Sequence, residues 1–63
     1  MDDTTALRTA ADYCQRLADA GWSPVRNDAM ASLLRQMADA GPGVVGYLPA
    51  VAIARDIVTH MED

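Results

Sequence analysis

The sequence predicts an all-α fold, a small three-helix bundle, and three observations carry that expectation. Apolar residues recur at three- and four-residue steps in three separate stretches. The first two stretches close on the same letters, in "QRLADAG" at 15–21 and "RQMADAG" at 35–41. The third follows "GPGVVGYLP", with three glycines and two prolines in nine residues. The expected helices run roughly over 5–20, from 24 or 28 to 40, and over 49–61, within one domain spanning 1–63.

In the first stretch Leu7, Ala10, Ala11, Cys14, Leu17 and Ala18 form one stripe, with Arg8, Asp12, Gln15, Arg16 and Asp19 opposite it. Asp3 or Thr4 offers a side-chain oxygen to cap the first turn. Asp12 precedes Arg16 by four residues, the favourable orientation for a helix-surface pair. Gly21 supplies the left-handed residue on which helices commonly end.

The second stretch has two candidate starts. Ser23–Pro24 places a cap before a proline at the first helical position, and Asn27–Asp28 offers a second cap one turn later. Its stripe reads Met30, Leu33, Leu34 and Met37, and Gly41 ends it. The glycine- and proline-rich connection reads as a loop with an irregular turn near Val44 and Val45. A strand in "VVGYL" would lack a second strand to pair with. The third stretch buries Ala50, Val51, Ala54, Ile57, Val58 and Met61, with Ile53 and His60 along one edge. The repeated ADAG reads as one way of ending a helix used twice, because a repeat array needs three or more units to bury its faces.

Composition narrows the possible functions. Sixty-three residues can enclose only a thin core. Of the apolar residues twelve are alanine, which buries little area. Such a chain gains from a second copy or a partner. The formal net charge of −4, with no lysine, argues against attraction to nucleic acid phosphates. The longest apolar run, "LPAVAIA", is too short to span a membrane. A single cysteine, Cys14, rules out an internal disulfide and suits a reducing compartment. The acidic start "MDDTTALRT" does not resemble a secretion signal, so the expected location is the cytoplasm.

No catalytic, metal or cofactor site is expected. His60, the only histidine, has Asp56 one turn back and suits a helix C-terminal end. Cys14 lies mid-stripe, where a thiol acts as a small apolar group. "GPGVVG" lacks the lysine and hydroxyl residue of a nucleotide loop.

The functional expectation is therefore a non-enzymatic protein-binding module: an adaptor, an inhibitor or a self-associating accessory protein, a homodimer included. Its candidate contact residues are Tyr13 and Ile53 on the flanks of helices one and three, Trp22 after the first helix, and the aspartates Asp19 and Asp39. Trp22 has two readings, a lid on the core and an interface anchor. Two alternatives compete. One is a helix-turn-helix regulator presenting the third helix to DNA, opposed by the single basic residue Arg55 there. The other is an acidic inhibitor of a nucleic-acid-binding protein. It would use Asp19, Asp28, Glu62 and Asp63 at one pole, and Asp2, Asp3 and Asp39 at the other.

Overall fold

The computed structural model describes residues 1–61 and the backbone of Glu62. It contains α1 (Asp3–Asp19), α2 (Pro24–Ala40) and α3 (Tyr47–Glu62). This is a small all-α three-helix bundle. Among the described residues no strand forms, and Val44–Gly46 is turn. No described helix is long and apolar enough to cross a membrane.

α1 begins two residues before the expected position because Asp2, not Asp3 or Thr4, is its cap. The Asp2 carboxylate accepts the Thr5 N–H at 2.7 Å. Its other end is a Schellman arrangement: Trp22 N–H donates to Leu17 O at 2.9 Å and Gly21 N–H to Ala18 O at 3.0 Å. Gly21 sits at φ +89, where a side chain is strained. α2 starts at Pro24, which settles the first open boundary. Ser23 precedes it in a left-handed conformation, φ 40, and its hydroxyl makes no capping bond. Asn27, the alternative cap, instead turns back to brace the connection, donating from Nδ2 to Trp22 O at 2.6 Å.

Both ADAG sequences end helices on a left-handed glycine, as expected, but not in the same way. Gly41 (φ +85) only completes the regular pattern, its N–H reaching Met37 O at 3.0 Å. The next residue, Pro42, has no N–H to give a second closing bond such as Trp22 gives.

α3 starts at Tyr47, two residues before Pro49. Gly46, at φ +89, turns the chain into it, and Ala50 N–H bonds Gly46 O at 3.1 Å. Pro49 then occupies the third helical position, where the missing N–H would have had no partner. Tyr47 is thus a helical residue with a buried side chain rather than part of the loop.

The core is small-residue packing. Ala6, Ala10, Ala11, Ala31, Ala38, Ala50 and Ala54 are buried, with Leu7, Cys14, Leu34, Tyr47 and Val51. Among the described residues the only large side chains that lose all solvent are Leu7 and Leu34. Alanine lets helix backbones approach closely but brings little area with it. Leu33, expected in the α2 stripe, is instead 42% exposed, because Ala31, Leu34 and Ala38 take the inner positions. Ile57, Val58 and Met61 are half-buried where full burial was expected.

α1 is the central element. It packs along α2 and less extensively on α3, while α2 and α3 barely meet. The Cα extents are 33 × 24 × 14 Å. In so thin a slab each helix keeps a broad face in water, and a cleft opens where α2 and α3 fail to close over α1.

Candidate partner-binding surface

Two depressions flank the α1–α2 turn. The first, about 310 Å³, is the cleft between the three helices, lined by Tyr13, Cys14, Leu17, Arg26, Asn27, Met30 and Ile57. The cleft includes Tyr13, one of the candidate contact residues. Its α3 wall, however, is Ile57, one turn beyond Ile53. Ile53, one turn back on the same side of α3, is 42% exposed and is not part of the cleft lining. The second depression lies between α1 and α2, lined by Gln15, Ala18, Asp19, Pro24, Val25, Asp28 and Ala29.

Trp22 is not a lid on the core. It is 69% exposed, because the Schellman bonds fix its backbone while its side chain leaves the turn outward. The backbone is held on both sides, by its N–H to Leu17 O and by its carbonyl to Asn27 Nδ2. Leu17 and Asn27 are themselves cleft residues.

The two aspartates of the repeated ending part company. Asp39 accepts from Arg8 Nη2 at 2.8 Å, across α1 and α2. Asp19 receives only the Gln15 amide, at 3.2 Å. The same amide reaches Asp28 at 3.4 Å, so Asp19 and Asp28 do meet at one pole. The carboxylates of Glu62 and Asp63 expected there lie outside the described residues. At the opposite pole Asp2 is a cap and Asp3 is bound by Arg55 Nη2 at 2.6 Å, so no free acidic face gathers there. Asp12 is also committed, to Arg35 of α2 at 3.2 Å rather than to Arg16. Arg35 continues to Gln15 Oε1 at 3.1 Å. Arg16, left by Asp12, lies over the Tyr13 ring, 6.0 Å from its centroid.

The remaining chemistry-bearing side chains do not converge. His60 stays on its own helix, with Nδ1 2.7 Å from Asp56 O and 3.6 Å from its carboxylate. Cys14 is buried, and burial pushes its thiol above the ordinary value. That keeps it protonated at neutral pH, the opposite of an activated nucleophile.

Sequence reasoning missed several exposed apolar residues. Val25 (84%), Leu48 (75%) and Val45 (98%) stand in water beside Leu33 and Ile53 at 42% each. Val25, Ala29 and Leu33 follow one another at four-residue steps along α2, a signal that was readable as a second, outward stripe. Comparison with protein-family models, with curated proteins and with solved structures finds no match for this chain.

Proposed function

We propose that this chain is a non-enzymatic protein-binding module acting through the surface around its α1–α2 turn. One observation carries the reading: the sole tryptophan is held rigidly by its backbone and offered to solvent by its side chain. Tryptophan contributes more than most residues at protein interfaces, and a fixed backbone lowers the ordering cost of using it. Val25 in the neighbouring depression and the apolar walls of the cleft add apolar character on either side of that turn. Contact with a partner or a second copy would also add the burial that an alanine-rich core lacks.

The alternatives draw less support. Arg55, the one arginine of α3, is tied to Asp3 and to the Met1 carbonyl, so a DNA-reading α3 would first lose that anchor. An acidic inhibitor would need free carboxylates, and Asp3, Asp12 and Asp39 are occupied by arginines.

The test is association with and without Trp22. A photo-crosslinking residue at position 25 in the producing cell should give discrete adducts, either to another protein or to a second copy. Trp22→Ala should remove those adducts while leaving thermal unfolding little changed. A single-protomer mass at all concentrations, with no adduct from position 25, defeats the proposal.

A further inference from the structure

The arginines divide into two groups. Arg8, Arg35 and Arg55 each bind a carboxylate, on Asp39, Asp12 and Asp3. Among the described residues, Arg16 and Arg26 have none within ion-pair distance. Arg26 lines the cleft, and Arg16 stands outside the lining but lies over the ring of Tyr13, which is part of it. The acids nearest in sequence are drawn elsewhere, Asp12 to Arg35 and both Asp19 and Asp28 to the Gln15 amide. Thus, in a chain of net charge −4, the two arginines without an ion-pair partner among the described residues stand in or beside the apolar cleft.

We propose that the cleft is a docking groove for an acidic amphipathic segment of a partner protein. Apolar side chains of that segment pack on Tyr13, Leu17, Met30 and Ile57, and a carboxylate beside them meets Arg26 and Arg16. Guanidinium suits this role because it can lie on an aromatic face and still offer a planar pair of donors to a carboxylate. Three walls from three helices favour an extended or helical segment over a flat surface. Two arginines in a chain of this net charge favour a carboxylate over a nucleic acid, whose binding draws on many phosphate contacts.

The inference rests on the protein-binding reading and narrows it to one groove and one partner chemistry. Its test uses the full chain and two synthetic helical peptides carrying the same leucines at i, i+3, i+4 and i+7. One is flanked by glutamates and the other by lysines, and backbone amide shifts are followed by NMR. The glutamate peptide should shift the amides of Tyr13, Leu17, Met30 and Ile57. It should bind at least about tenfold more tightly than the lysine peptide, the effect expected of one charge-assisted contact. The double variant Arg16→Glu, Arg26→Glu should reverse that preference. Equal binding of both peptides overturns the proposal, as does a preference for duplex DNA in a parallel titration. Shifts confined to Val25, Leu33 or Leu48 also overturn the groove but leave the protein-binding reading intact. If the same cleft amides shift with protein concentration alone, the occupant is a second copy and the foreign-segment proposal fails. The wild-type comparison stands even if the double variant does not fold.

Discussion

α1 has two neighbours and holds them differently. Towards α2 it presents a seam with Ala31, Leu34 and Ala38 packed inside, edged by Arg8–Asp39 and by the Asp12–Arg35–Gln15 network. Towards α3 the contact is smaller, with Tyr47, Ala50, Val51 and Ala54 buried and one arginine, Arg55, bridging to Asp3 and the Met1 carbonyl. The α1–α2 pair is also local, joined by a tight turn, whereas α3 follows a six-residue connection over 41–46. The difference teaches that this is a helical hairpin with a third helix laid on it. α3 is therefore the element expected to open first, in the sense of local unfolding with a free energy below the global one.

The most damaging change should be Leu34→Ala in the seam. A fully buried leucine truncated to alanine costs about 2.7–5 kcal/mol, enough to unfold so small a domain. Circular dichroism at 25 °C should then show lost helicity across the whole chain, and a variant that melts like the parent would deny the hairpin its central role. Ala54→Leu attacks the other contact. It enlarges a fully buried side chain at the α1–α3 contact, at a cost of about 1–3 kcal/mol. Hydrogen exchange should accelerate in α3 while α1 and α2 stay protected. Uniform acceleration would merge the two contacts into one cooperative unit.

Gly21 and Gly46 allow a finer cut. Each sits at φ +89 with open space where a Cβ would go, so Gly→Ala costs only backbone strain, about 1–2 kcal/mol. The two losses should be equal in size and different in place: Gly21→Ala lowers the global melting temperature, and Gly46→Ala shows first in α3 exchange. Below these come the ion pairs. Arg35→Ala and Arg55→Ala remove half-exposed bridges, each worth about 0.2–1 kcal/mol. Raised salt should therefore mask most of either effect in a melting experiment.

The smallest effect is acid-dependent. The Thr5 N–H bond holds the Asp2 carboxyl below its ordinary 3.8. A lowered native value means the stabilisation is complete above about that ordinary value and is lost as pH falls through the native one. Asp2→Asn should flatten that part of the pH profile, read as melting temperature between neutral and strongly acid solution. Because Asp2 adjoins Asp3 and Met1, where Arg55 is anchored, α3 should loosen with it.

Much of the fold is readable from residue order. The stripe Leu7, Ala10, Ala11 and Cys14 is buried as its spacing implies, and Gly21 and Gly41 end their helices. What escaped was rotation. Leu33 and Leu34 are adjacent and equally apolar, and periodicity alone admits both to the stripe. Only the choice of Ala31 and Ala38 as the closest approach to α1 turns Leu33 outward. The cleft lining was half legible for the same reason. Tyr13 borders the cleft, but Ile57 rather than Ile53 lines it, and Asp39 is paired across the seam with Arg8. No spacing rule within one helix reports a bond between residues thirty-one apart.

By itself the sequence determined where the helices lie and where two of them stop, because turn periodicity, capping and left-handed glycine act over a few neighbouring residues. Tertiary structure alone decided which arginines find a carboxylate on another helix, and that α2 and α3 stand apart over α1. Those outcomes depend on which backbones can approach across alanines, a property of pairs of helices that no single stretch of chain contains.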